Sequence, residues 1–234
     1  MPARWTGESE FTGAISSGLH VSAVYNQNVD GVQALKAYFF APGAIVCLGA
    51  GITSDSPYPV ETTVEQRQLV GDFVERAGGI WHGNVAYLGN GMMSKVAKAS
   101  SAQGESTDML TIGIPHGTGC RGKYYAVEIR PCVERERFTG LKPLGRVISN
   151  TTDLQAVEFA DGTVCAVFHK AGCLGDFETD TPCVFILEND RMYLADPTHL
   201  VKTMKFNFRG QTYMLTLPDG LMAGSTVTIG IAQP

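Results

Sequence analysis

The stretch Lys36–Arg67, KAYFFAPGAIVCLGAGITSDSPYPVETTVEQR, constrains the fold more than any other part of the chain. Tyr38-Phe39-Phe40 and Ala44-Ile45-Val46-Cys47-Leu48 have almost no polar interruption, which reads as two strands buried inside a sheet covered on both faces. Ala41-Pro42-Gly43 stands between them. Proline presets φ and glycine accepts a positive φ, so the two strands read as a hairpin.

Period-two alternation carries most of the remainder. His20–Tyr25, Asp108–Ile114, Tyr124–Ile129, Thr163–Phe168, Thr212–Leu217 and Ser225–Ile231 all read as strands. Glycine recurs at their junctions, as turns in a β protein require. One segment competes: Val60, Val64, Leu69, Val70, Phe73 and Val74 recur at helical spacing, and EQRQLVGDFVERAGG could form an amphipathic helix with a glycine C-cap. Thr62-Thr63-Val64 and the interrupting Gly71 favour a pair of strands instead, so the expected class is all-β. The charged run Glu134–Arg137, followed by Gly140, Pro143 and Gly145, places a boundary near residues 135–144. Longer apolar strands before it suit a larger sheet stack, and short, closely spaced strands after it suit a small antiparallel sandwich.

The chain of 234 residues can bury the core of one large β domain or two modest ones. A net charge of −5 argues against nucleic acid, whose phosphates demand clustered Lys and Arg. It argues mildly against a grip on any polyanion. Such a grip would need a local patch such as Lys95, Lys98, Arg121 and Lys123, and scattered solvated side chains are the simpler reading. No apolar run reaches the length of a membrane helix, and the opening MPARWTGESE lacks the apolar core of a secretory signal. The six cysteines show no zinc spacing. Cys47 and Cys165 read as small buried hydrophobes; Cys120 and Cys132 flank a strand and could bridge in an oxidising compartment, with free thiols the simpler expectation.

The Lys36–Arg67 segment also resembles polysaccharide lyase family 8, the hyaluronate, chondroitin and xanthan lyases. Tyr38, Phe39, Phe40, Ile45, Val46, Leu48, Gly49, Gly51 and Ile52 match its aromatic-rich hairpin, and Thr62, Thr63, Gln66 and Arg67 match the strand that follows. Phe11-Thr12-Gly13, Trp81-x-x-Asn84-x-x-Tyr87 with His82, His116-Gly117 with Tyr124 to Pro131, Gln155-Ala156-Val157 and Asp196-Pro197-Thr198 are similar to further family motifs in the same order. The resemblance implies a partial central antiparallel β-supersandwich over residues 1–142 and a small carboxyl-terminal β-sandwich over 143–234. It also implies that the family's α/α toroid, which carries the catalytic asparagine, histidine, tyrosine and arginine, has no counterpart here, so the catalytic residues stay unknown. The implied substrate is a uronate-containing polysaccharide of glycosaminoglycan type. The implied location is secreted or periplasmic, and the implied partner is a toroid in cis or in trans.

β-Elimination needs a base for the proton α to the uronate carboxylate, an acid for the departing oxygen, and a group that neutralises the carboxylate. Within this chain the nearest set is Trp81-His82-x-Asn84-x-x-Tyr87. A continuous strand would point His82 and Tyr87 in opposite directions, which favours a packing role. His116 lies in a turn-rich loop and Arg121 just beyond it, so His82, Asn84, His116 and Arg121 are the candidate substrate-binding residues. His169 and His199 have no partner implied. Neither a hydrolase triad nor a phosphate loop is supported, and Gly49-Ala50-Gly51 and Gly89-Asn90-Gly91 read as turns. No cofactor or metal is expected, although Asp176, Glu178 and Asp180 alternate and could share a face that holds calcium; a solvated acidic loop is the simpler reading. The alternative from another class is a stand-alone carbohydrate-binding or structural β module without catalysis.

Overall fold

The computed structural model describes residues 9–100, 104 and 106–231; residues 1–8, on which much of the leader reading rested, lie outside the described residues. In chain order the strands are β1 (Thr12–Ser16), β2 (Val21–Val29), β3 (Val32–Ala41), β4 (Ala44–Ser54), β5 (Val60–Gln68), β6 (Phe73–Arg76), β7 (Gly79–His82), β8 (Val85–Gly89), β9 (Met93–Ser100), β10 (Ser106–Gly117) and β11 (Lys123–Pro131). A one-turn helix, α1 (Arg135–Phe138), precedes β12 (Gly145–Asn150), β13 (Leu154–Phe159), β14 (Val164–Phe168), β15 (Gly172–Leu174) and β16 (Phe177–Thr179). Then come β17 (Cys183–Glu188), β18 (Arg191–Ala195), β19 (Thr203–Phe208), β20 (Gln211–Thr216) and β21 (Val227–Gly230).

These strands form four antiparallel sheets, ordered β1-β2-β3-β4-β11-β8-β7-β6, β5-β10-β9, β12-β13-β14-β17-β18-β21 and β15-β16-β19-β20. Their cores show how the sheets stack. Ile80 and Tyr87 of the eight-stranded sheet pack on Leu110 and Ile112 of the three-stranded one, and Tyr125 and Val127 pack on Ile114. The opposite face of the large sheet sends Ile15, Val24, Phe39, Val46 and Leu48 into one core with Val157, Val167, Val184 and Ile186 of the six-stranded sheet. The far face of that sheet closes on the four-stranded sheet through Phe168, Phe185, Phe177 and Phe206. The class is all-β, as the alternation requires.

The expected hairpin is β3–β4, with Phe39 opposite Val46 and Phe40 opposite Ile45. Its burial departs from expectation on one face. Phe39 is wholly buried, while Phe40 is 37% exposed. The reason lies in the unequal sheets: the three-stranded sheet covers β4, β11, β8 and β7, and the same-side residues of β1 and β2, such as Ala14, Ala23 and Tyr25, join no core cluster. Cys47, expected to be buried, is half-buried, and all six cysteines are free.

Two further readings are corrected, and the charged run at the expected boundary takes up a one-turn helix. Residues 60–77 supply two strands and no helix, as expected, but β5 and β6 are not partners: β5 pairs with β10 in one sheet and β6 with β7 in another. Glu134–Arg137 leads into α1, whose Phe138 is buried with Trp81, Leu88 and Val133. Gly49-Ala50-Gly51 is not a turn. It is a bulge inside β4, where Gln33 faces Thr53 but Leu35 already faces Ala50, and Gly51 takes φ 63°. The bulge leaves the Gly49 carbonyl to the Asn150 amide, which donates to it at 3.2 Å and to the Tyr125 carbonyl at 2.9 Å.

The two halves of the chain are joined by buried polar contacts as well as by the shared core. Glu128 is buried on β11, and its carboxylate accepts from the Leu144 and Gly145 amides at 2.9 and 2.8 Å, fixing where β12 begins. His20 is buried after β1 with its Nδ1 2.7 Å from Glu188 Oε1 on β17. Phe11-Thr12-Gly13 meets Asp196-Pro197-Thr198, the Thr12 amide donating to the Pro197 carbonyl at 3.3 Å. Asp196 in turn accepts from the Thr198, Leu200 and Val201 amides, each at 2.8 Å, which hold its carboxyl below the usual range against its burial. Two motifs far apart in sequence are thus one packing unit.

Candidate functional site

Alternation along β3 that sends Ala37 and Phe39 into the first core necessarily turns Lys36 and Tyr38 to the other face. There, with Cys47 and Ile52 of β4 and Tyr125, Val127 and Ile129 of β11, they line a cavity of about 450 Å³ beneath Val60, Glu61, Thr62 and Val64 of β5. Burial disfavours the charged form of four of its ionisable groups. It lowers the Lys36 ammonium's pKa, raises that of the Tyr38 and Tyr125 phenols, and pushes the Cys47 thiol up to about 11. Lys36 has no carboxylate within ion-pair distance among the described residues.

Of the residues singled out from sequence, His116 borders this cavity. Its Nε2 lies 2.8 Å from Thr62 Oγ1, and burial, followed by the charge of Lys123, lowers its pKa. Arg121 is held in the loop beyond, ion-paired to Asp55 and donating to the Ser54 carbonyl at 2.8 Å. His82 lies at the other end of β5, buried, with Nε2 3.2 Å from the Val70 carbonyl. Asn84 sits exposed in the adjoining turn at φ 63°. Thr62 and Val70 are eight positions apart, roughly 25 Å of extended chain. The four candidates therefore do not converge.

The geometry of His82 also overturns the expectation that it opposes Tyr87. Gly83 and Asn84 both take positive φ and make a two-residue hairpin turn, so the chain reverses between β7 and β8. Ile80 faces Tyr87 and His82 faces Val85, which puts His82 and Tyr87 on the same side. Tyr87 donates to Glu65 Oε2 at 2.7 Å, and burial, then that carboxylate, raises its pKa. Arg67 lies beside both, next to Gly83. His82 Nδ1 is buried and has no hydrogen-bond partner among the described residues. His82 and Tyr87 are buried between two sheets, and Glu65 and Arg67 are half-buried beside them, so the four brace the junction of β5 with β7 and β8.

The carboxylates of the acidic run are separately engaged. Glu178 accepts from Asn207 at 3.0 Å, Asp180 from Thr181 at 2.8 Å, and Asp176 faces Arg209 at 3.9 Å. Among the described residues no three His, Cys, Asp or Glu side chains gather as a metal site would require. Lys95 and Lys98, three positions apart on β9, face opposite sides of that strand, so the basic patch does not form either. No helix among the described residues is long and apolar enough to cross a membrane.

Sequence reasoning missed Lys36, Tyr38 and Tyr125. The available signal was Lys36 itself, one charge inside the run Leu35–Phe40. Comparison with known proteins adds the context. The model of polysaccharide lyase family 8, super-sandwich domain, matches residues 2–142. That of the same family's C-terminal beta-sandwich domain matches residues 146–205. The chain is similar to a chondroitinase-AC of Pedobacter heparinus, 28% identical over 271 residues, which covers 95% of this chain and 38% of that protein. It is similar to a hyaluronate lyase of Thermasporomyces composti, 28% identical over 186 residues, covering 63% of this chain and 24% of the relative. A solved chondroitinase AC lyase, studied as oligosaccharide complexes, superposes with a TM-score of 0.85 at 26% identity, over 94% of this chain and 40% of that one. A xanthan lyase from Paenibacillus, with a TM-score of 0.80 at 15% identity over 96% of this chain and 29% of that one, shares the fold. The chain thus spans well under half the length of these relatives.

Proposed function

The chain belongs to polysaccharide lyase family 8, and on that footing we propose that it forms the β portion of an enzyme cleaving uronate-containing polysaccharide by β-elimination. In this reading residues 1–142 and 143–234 are its two β domains. Together they supply one wall of the substrate cleft and brace a catalytic α/α toroid, in cis or in trans, in a secreted or periplasmic enzyme. What carries the reading, beside the family, is the placement of the groups that could act as base. His20, His82 and His116 are buried in packing contacts, and His169 is held by Gln155 at 3.0 Å. Exposed His199 lies against Gly224, at a loop far along the chain from the cavity. No described histidine shares an open cleft with a tyrosine and an arginine. Without a placed base and a carboxylate neutraliser the α-proton barrier stays high, and binding alone lowers it little.

The test follows the unsaturated uronate product by its ultraviolet absorbance. The chain alone should release none from hyaluronan or chondroitin, and turnover should appear when a family toroid is supplied. Turnover by the chain alone, lost on His82→Ala or His116→Ala and kept on His169→Ala, would place the chemistry in these sheets and overturn the proposal.

A further inference from the structure

We propose that the cavity between β3, β4, β11 and β5 is a binding site for a single uronic acid residue. Lys36 would be the counter-ion of the sugar carboxylate, and Tyr38 and Tyr125 would partner its hydroxyls. The volume, about 450 Å³, falls within the range of roughly 300–1,000 Å³ typical of small-ligand sites. Its wall combines apolar and polar groups as a sugar demands: Val32, Ile52 and Val60 face C–H edges, while the two phenols offer polar oxygens. Lys36 is the only lysine or arginine lining it among the described residues, so the site matches a ligand with one carboxylate.

The unpaired ammonium points to an anion. A partly desolvated amine without a counter-ion is costly, and an incoming carboxylate removes that cost. Both phenols stay protonated at neutral pH because burial raises their pKa; Tyr125 hydrogen-bonds to Tyr38, which leaves the Tyr38 proton for a ligand. His116 behind Thr62 fixes the roof, while the Glu61 carboxylate turns to the outer face of the β5–β10 sheet, over Gly113. The choice of a uronate rests on the lyase reading above. The anion site itself does not.

Methyl-observed NMR titrations of the wild-type chain with glucuronate and with glucose, its neutral counterpart, test this. Glucuronate should shift the Val32, Ile52, Val60 and Ile129 methyls, and glucose should bind at least about tenfold more weakly. Lys36→Met should weaken glucuronate about tenfold and leave glucose unchanged. Should that variant fail to fold, a pH series on the wild type replaces it: glucuronate affinity should fall in alkaline solution as Lys36 discharges, at a pH below the ordinary lysine range. Equal affinity for the two sugars, shifts confined to other methyls, affinity flat with pH, or no glucuronate binding at millimolar concentration overturns the site. If glucuronate binds through Lys36 but a supplied toroid yields no turnover, the lyase reading fails and the anion site stands.

Discussion

The ring of Tyr125 lies flat on the α-carbon of Gly49, its strand neighbour, so that a β-carbon at Gly49 would stand 2.8 Å from Cζ and closer still to Cε1 and Cδ1. The aromatic ring that closes the cavity floor is therefore seated by the absence of a side chain opposite it. Gly49→Ala should destabilise the fold by about 1–3 kcal/mol through overpacking, read as a lowered thermal midpoint. Tyr125→Ala in the same chain removes the clash, so the double variant should lose less than the sum of the two single ones. Strict additivity would show that the two residues do not meet.

Glu128 offers a second test. Its carboxylate takes the Leu144 and Gly145 amides just as the chain enters β12, and a β-carbon on Gly145 would stand 2.7 Å from Val46 Cγ2. Glu128→Ala leaves two amide donors facing a buried gap and should cost about 2–4 kcal/mol. Glu128→Gln keeps one acceptor oxygen and should cost less. Chemical denaturation of the three proteins checks the order, and equal stability of the alanine variant would remove the clamp from the account.

His169 gives the fold a pH dependence. Burial pushes its pKa from 6.5 down to about 4, with Asp153 opposing. Its folded value is depressed, so the unfolded chain binds the proton first as pH falls. The contribution is complete above pH 6.5 and is lost progressively as pH drops toward about 4, at up to about 1.4 kcal/mol per pH unit. His169→Gln, measured by denaturation across this span, should flatten the slope by that amount. An unchanged slope would assign the acid sensitivity to other groups.

The uncovered face of β1, β2 and the Phe40 end of β3 predicts association. Phe40 and Tyr25 share it, and β5 runs beside it with one edge unpaired among the described strands. Light scattering of the chain alone should show mass rising with concentration, and Phe40→Lys should reduce it. A monodisperse monomer that binds no apolar dye would favour the self-sufficient binding module over the lyase portion.

What could be read before folding was whatever depends on neighbours in sequence. Ala41-Pro42-Gly43 set the β3–β4 hairpin, and alternation set the strands. The site depended on partners far away. Whether Gly49 and Gly51 turn the chain or bulge it is decided by the register with Gln33 and Leu35. The side to which His82 points was hidden by a turn only two residues long, Gly83-Asn84, which inverts the parity counted from Trp81. The exposure of Phe40 follows from how far a different sheet extends, which no feature of its own strand encodes. Gln155, matched to a family motif, donates to Asn150 at 2.9 Å and accepts from neighbouring His169, so that motif marks packing between sheets.

The core that Phe39 and Val46 share with Val167 and Ile186 has a thermodynamic consequence. The two family segments are separate in sequence, yet each contributes one wall of the same oily seam, and parting them would expose both walls to water. Calorimetry should register one heat-absorption peak for both. A graft that exchanges only the carboxyl-terminal segment with a relative's must carry the matching residues of β1 to β4 with it, because what is inherited there is a pair of surfaces.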